Sequence, residues 1–335
     1  VAFIAYFRTS RESPGMKLSD EIMERLQWLQ EKYNTDHQDL SAYLEGLVHA
    51  QYLTYWDYIN LDALLALQVP RTQIEDEPIF IMYHQITELY FKLTLHELTL
   101  LRKAETVSAA ALLKRINRIN RYFEALTTSF GVMEKGMDRD QFLKFRLTLA
   151  PASGFQSAQY RMIEICATPF INLVAKDDRN RFATNASFSE MFDHIYWKAG
   201  ATLEGTGEKT LTLKQFEEKY TDQLVALAKQ VEGKTLGDFF YRLPEADRQD
   251  EALINALKLL DLNVNVYWPL QHYRTAVAYL AKRPHDISAT GGTNWQKYLP
   301  PRFQKRIFYP DLWTEKEREE WGKSWVEDVL NRLKA

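Results

Sequence analysis

Apolar side chains recur three and four residues apart along most of this chain, and few helix breakers interrupt them. Glycine supplies 13 of 335 residues, about 4% where roughly 7% is usual, and proline only 11. Spacing near 3.6 marks one face of a helix, whereas a half-buried strand alternates with a period of two. No stretch alternates convincingly. The pattern predicts an all-α fold, a bundle of helices.

The breakers that are present divide it. Residues 18–34 read as a polar amphipathic helix and 40–68 as one or two helical pieces, with Leu61, Leu64, Leu65 and Gln68 on one stripe. Pro70 ends that segment. Asp76 or Glu77 followed by Pro78 opens the next helix, because the first turn has no amide partner to lose. That helix is expected to run to about Ala104. Further helices are predicted over 108–135, over 138–149 with a stop before Pro151, and over 157–165. Residues 175–250 are more polar, with the loosest loop around Gly200, Gly205 and Gly207, and read as a small helical insertion. A long helix is expected over 251–282, an irregular loop with ATGG over 283–300, and a charged helical tail over 314–335. The whole of 18–335 reads as one domain, and residues 1–17 as an N-terminal extension ahead of it, since Met16 precedes the first polar helix.

Composition narrows the classes further. An apolar content of 46% over this length can bury a sizeable core. With 42 basic and 45 acidic side chains, a net charge of -3 leaves no footprint for nucleic acid or an anionic membrane. No apolar run approaches the ~20 residues that span a bilayer. The opening VAFIAYF lacks the basic flank and cleavage site of a signal peptide. A single cysteine, Cys166, cannot close an intrachain disulfide and excludes cysteine-rich zinc or iron–sulfur sites. The cytoplasm is the simplest compartment.

Two of the seven histidines stand out. His84 and His272 each follow a large aromatic by four residues, Phe80 and Trp268, so each shares a helix face with a ring. On spacing alone, an aromatic–histidine pair in an ordinary core is the simpler reading. Two histidines on distant helices also suit a buried polar network, or a heme pocket with one axial imidazole and one on the distal side. A dimetal bundle would need Glu-x-x-His on facing helices, and no glutamate here precedes a histidine by three. Phe142 and Arg146 repeat the spacing. The planar fork of an arginine suits a carboxylate, although a surface arginine or an internal ion pair would explain it equally. Thr290-Gly291-Gly292 is either a backbone concavity for an anion or only a loop.

Taken together, five blocks resemble the tryptophan 2,3-dioxygenases: TYWDYINLDALLALQ at 54–68, DEPIFIMYHQITELYFKLTLHEL at 76–98, FLKFRLTLAPASGFQSAQYRMIE at 142–164, WPLQH at 268–272 and ATGG at 289–292. The resemblance implies an all-helical homotetramer with heme b in each subunit. Such an enzyme cleaves the indole ring of L-tryptophan with dioxygen, giving N-formyl-L-kynurenine. Carried over by motif, His272 would be the proximal iron ligand, with Trp268 a further heme contact. His84 would be the distal catalytic histidine that meets the indole N–H, and Phe80 would pack on the indole. Arg146 would clamp the carboxylate, Phe142 would line the same site, and Thr290 would contact the amino-acid end. Ser153 would lie over the distal heme face. Tyr55, Tyr58 and Ile59 match a segment that reaches into a neighbouring subunit's pocket. The chain departs from the pattern at Ala289, where the family usually has glycine, and at Thr293, Asn294 and Trp295, where it tends to small residues. The stretch from His272 to Thr290 is also a few residues longer. These departures keep two alternatives open: a heme-dependent mono-oxygenase of a related aromatic amino acid or indole, and a non-catalytic heme or tryptophan sensor. Retention of Phe80–His84 and Phe142–Arg146 argues against the sensor.

Overall fold

Proline and charge fix the first long helix where the sequence places it. In the computed structural model, which describes residues 18–35, 39–149, 156–182, 186–203, 206–280, 300–301 and 305–323, that helix spans Glu77–Lys103. It has Pro78 in its first turn, and Arg102 and Lys103 in its last turn face the negative end of the helix dipole. The chain divides between Leu67 and Gln68 into two compact units. The first holds α1 (Asp20–Thr35), α2 (Leu40–His49), α3 (Tyr55–Tyr58) and α4 (Leu61–Leu65). The stretch 40–68 is thus three short helices rather than one or two, with Gln68 beyond the last of them. Reciprocal bonds between Thr54 and Asp57 cap α3, which is why it starts afresh there.

In the second unit, α5 (Glu77–Lys103) packs on α6 (Ala109–Ser129). Ser108 caps α6 by accepting from the Ala111 N–H. Its buried face reads Leu112, Ile116, Ile119, Phe123 and Leu126, alternating steps of three and four. Against these lie Phe91, Leu98 and Leu101 of α5 in one apolar cluster. α7 (Gly131–Gly136), α8 (Arg139–Phe145) and α9 (Ala158–Ala167) follow, then α10 (Phe188–Asp193), α11 (Leu211–Val231), α12 (Leu236–Tyr241) and α13 (Glu245–Arg248). α11 packs on α9. It contributes Leu213, Phe216, Leu224, Ala228 and Val231 to the main core, so part of the polar stretch 175–250 is built into it.

Three helices differ from the sequence reading. The segment expected to run unbroken over 108–135 stops at Ser129 and restarts at Gly131, with Phe130 buried at the joint. The helix expected over 138–149 tightens after Phe145 into a 3-10 turn, Arg146–Leu149. The helix beginning at Glu251 is α14 (Glu251–Leu262), then a π-turn, Asn263–Tyr267, then α15 (Trp268–Leu280). A last short helix, α16 (Glu315–Glu319), belongs to the charged tail. Among the described residues there is no named strand, only the isolated bridges Val174–Ile195 and Thr202–Lys209. No described helix is long and apolar enough to cross a membrane.

Candidate active site

A second apolar cluster, separate from the main core, joins α5, α8 and α15 around Tyr83, Phe130, Phe145, Leu270 and Tyr279. Phe80, Phe142 and Trp268 are half-buried against it. This cluster takes in Phe80, Phe142 and Trp268, and His84 and His272 adjoin it through ring contacts. On α5, the rings of Phe80 and His84 lie 4.1 Å apart, as one helical turn allows. Phe80 also approaches Phe142 at 6.1 Å and Phe145 at 5.6 Å. From His84 a run of rings leads to the second histidine. Tyr83 is edge-on to His84 at 5.8 Å and 5.7 Å from Phe130. Phe130 lies 4.5 Å from Trp268 and stacks at 6.2 Å on His272.

Both imidazoles are held neutral. The Nδ1 of His84 is 2.7 Å from the Phe80 carbonyl oxygen. A carbonyl can only accept, so Nδ1 carries the proton and Nε2 presents its lone pair. Burial lowers the His84 pKa, outweighing the Phe80 bond and the Glu88 charge that act to raise it. The residue is nonetheless exposed to solvent, so a ligand can reach it. Burial first, and repulsion from a protonated His84 second, together bring His272 down to about 4. Among the described residues no hydrogen bond engages the His272 ring.

Arg146 opens the 3-10 turn after α8 and is only 6% exposed. Its backbone N–H bonds the Phe142 carbonyl, so the aromatic and the guanidinium keep their one-turn relation. Burial lowers its pKa, yet a guanidinium stays charged at any pH a protein survives. Across from it, the ring of Tyr279 sits 4.8 Å from Phe142. The Tyr279 hydroxyl donates to the carbonyls of Met133 and, at 3.1 Å, Met137, tying α15 to the end of α7. Glu77 anchors the entry to α5 by accepting from Arg71 N and Thr72 N, each at 2.7 Å.

Ser153 and Thr290 lie outside the described residues, as do Ala289, Thr293, Asn294 and Trp295. Tyr55, Tyr58 and Ile59 belong to the first unit and are 71%, 74% and 36% exposed. Three lining residues escaped the sequence reading. Tyr83 stands three after Phe80 and Phe145 three after Phe142, so helix periodicity could have flagged both. Phe130 left no such signal, because its place depends on a helix break that the pattern does not show.

Among the described residues no three His, Cys, Asp or Glu side chains converge to hold a bare ion, which usually takes three or four protein ligands. A heme needs only one axial imidazole and an apolar slot. A neutral His272 with no hydrogen-bond partner among the described residues, beside Trp268 and Phe130, fits that requirement.

Comparison with known proteins points to one family. The family described as tryptophan 2,3-dioxygenase matches residues 45–234. A tryptophan 2,3-dioxygenase of Anaeromyxobacter dehalogenans is 30% identical over 282 residues, covering 79% of this chain and 96% of its own length. One from Ruegeria sp. is 29% identical over 275 residues, with 79% and 92% covered. Tryptophan 2,3-dioxygenase 2 of Ralstonia nicotianae reaches 43% identity over 142 residues, 39% of this chain and 36% of its own.

Proposed function

This chain belongs to the tryptophan 2,3-dioxygenase family, and from that premise we propose that its cleft holds heme b on His272 and receives L-tryptophan from the His84 side. The activity is opening of the indole 2,3 bond of L-tryptophan with dioxygen, giving N-formyl-L-kynurenine. One observation carries the assignment of residues: two imidazoles, on α5 and α15, whose burial favours the neutral form and which are joined by a run of aromatic rings. The finer parts of the reading are the heme iron, a homotetramer in which Tyr55, Tyr58 and Ile59 complete a neighbour's site, and a cytoplasmic setting that suits the lone thiol of Cys166.

When bound, ferrous heme would supply the activation of triplet dioxygen that a closed-shell indole cannot achieve alone. The protein's part is placement. Neutral His272 would hold the heme iron through its ring nitrogen, and Trp268, one turn before it, would pack beside the group. Phe80 and Phe142, backed by the buried Phe145, would form an apolar wall that excludes water and accepts the flat indole. With its proton held on Nδ1 by the Phe80 carbonyl, His84 presents Nε2 as an acceptor for the indole N–H. Arg146 takes the carboxylate through paired charge-assisted bonds, which fixes where the ring lies. Restricting that position is itself a rate contribution. Thr290 and Ser153 are proposed to contact the amino-acid end and the distal face.

The test supplies the reduced, heme-loaded protein with L-tryptophan and isotopically heavy dioxygen. N-formyl-L-kynurenine carrying two heavy atoms is expected. A product with one heavy atom would replace this reading with the mono-oxygenase, and saturable binding without turnover would replace it with the sensor. Substituting His272→Ala should abolish stable heme uptake; an unchanged heme spectrum would show the ligand to be another residue.

A further inference from the structure

The helix that carries His272 does not reach it in one register. After α14 ends at Leu262, the Trp268 N–H bonds the Asn263 carbonyl five residues back, rather than the Val264 carbonyl four back. The next residue is Pro269, which has no N–H. It can serve neither Asn265 at the α spacing nor Val264 at the π spacing. In α geometry its ring would also collide with the Asn265 carbonyl. The wide turn resolves that collision and leaves the Val264 carbonyl orphaned in a residue of 0% exposure. A buried carbonyl without a donor is costly.

Side chains from elsewhere supply the donors. The Tyr160 hydroxyl of α9 donates to the Val264 carbonyl at 2.7 Å, and Arg306 Nη2 at 3.3 Å. Arg306 also donates to the Tyr160 hydroxyl at 2.9 Å, to the Asn265 side-chain oxygen and to Glu164. Asn265 in turn donates to Asp261 at 2.6 Å, and Asn263 to Asn120 of α6 at 3.1 Å. Arg306 is 3% exposed and Glu164 0%, so the cluster is dry. None of these groups belongs to the apolar cluster of Tyr83, Phe130 and Phe145. An extra residue in one turn rotates everything downstream by about 100° relative to the helix before it. Trp268 and His272 are the first ring-bearing cleft residues downstream.

We propose that Tyr160 and Arg306 are positioning residues for His272: by supplying donors to the Val264 carbonyl they hold the Pro269 π-turn, and the turn sets the direction in which the imidazole leaves α15. This rests on reading His272 as the heme ligand. Neither residue touches the substrate or the cofactor in this account. They act through the register of a helix.

The test compares heme-loaded wild type with Tyr160→Phe, Arg306→Met and a control, Ile116→Val, which disturbs the main core but removes no donor to the Val264 carbonyl. Two readouts are taken: the iron–imidazole stretching frequency of the reduced protein by resonance Raman, and the rate of heme transfer to apomyoglobin. Both turn variants should shift the frequency and release heme about tenfold faster, the usual scale for losing a residue that orients a metal ligand. Ile116→Val should change neither. Tyr160→Phe keeps the ring and every ion pair, so it carries the test alone if Arg306→Met does not fold. Turn variants that unfold more easily but match the control in frequency and heme release would overturn the inference while leaving the function standing. A wild type that binds no heme through His272, seen before any variant is made, would overturn both.

Discussion

Arg146 holds a full positive charge at a position only 6% exposed, so a carboxylate arriving there is bound in a setting that water barely screens. A hydrogen bond to a charged group contributes roughly 1.5–3 kcal/mol. Arg146→Leu should therefore raise KM for L-tryptophan by about 10- to 100-fold, while scarcely changing KM for an indole lacking the carboxylate. Equal losses on both substrates would remove the clamp. Cys166 gives a second prediction from burial. Its thiol is pushed up to about 11 by desolvation, against a smaller opposing pull from Arg102. The thiolate that alkylating reagents need is thus absent near pH 8, and iodoacetamide should label the protein only once denaturant unfolds it. Folding favours the protonated thiol, so this group subtracts stability only as pH climbs from its ordinary 9 toward 11. Labelling of the native protein at pH 8 would show the site to be open. At this scale the sequence was legible wherever chemistry and helical spacing coincide, as in Phe80 with His84. The Nδ1 tautomer of His84 was not, because it depends on where a backbone carbonyl comes to rest.

Between elements, Glu97 is the clearest single tie. It sits on α5, 3% exposed, and accepts from Arg115 at 2.6 Å and Arg118 at 3.1 Å, both on α6. Burial acts to raise its pKa, but the two guanidinium bonds and their charges outweigh it and hold the carboxyl below its usual 4.5. A lowered folded pKa means the stabilisation is complete above the unfolded value and is lost as pH falls through the folded one. The arginines are 26% and 44% exposed, so the lower end of the range for charged hydrogen bonds applies. Near neutral pH, Glu97→Gln should cost about 1–2 kcal/mol in urea unfolding. The gap from wild type should close below about pH 4. A gap that persists at acid pH would mean packing, not charge, joins the two helices there. Helix existence followed from apolar spacing in α5 and α6, where periodicity and burial agree. Helix breaks did not. Phe130 is an unremarkable helix residue whose placement is decided by Tyr83 and Trp268 packing on it. The π-turn had its signal in Pro269, inside an otherwise continuous apolar pattern.

For the whole molecule, the apolar surface argues for association. On α5, Met82, Ile86, Leu89 and Leu93 form an outward stripe 42–48% exposed, at steps of four, three and four. In the first unit Tyr55, Trp56 and Tyr58 are more than half exposed. Continuous apolar stripes on otherwise polar surfaces commonly mark contacts with another chain, which supports the proposed homotetramer. That proposal has a sharper consequence than an oligomer mass. If Tyr58 completes a neighbour's cleft, a chain carrying Tyr58→Ala still offers an intact His272, and a chain carrying His272→Ala still offers an intact Tyr58. Each variant alone should be nearly inactive. Co-expressed in equal amounts, they should assemble sites that pair a sound His272 with a sound Tyr58 from the next subunit, and about a quarter of wild-type turnover should return under random mixing. Mixing the two after purification should restore nothing until the oligomers exchange subunits. If co-expression recovers no activity while each variant still assembles, the first unit serves its own chain, and the N-terminal segment closes its cleft in cis.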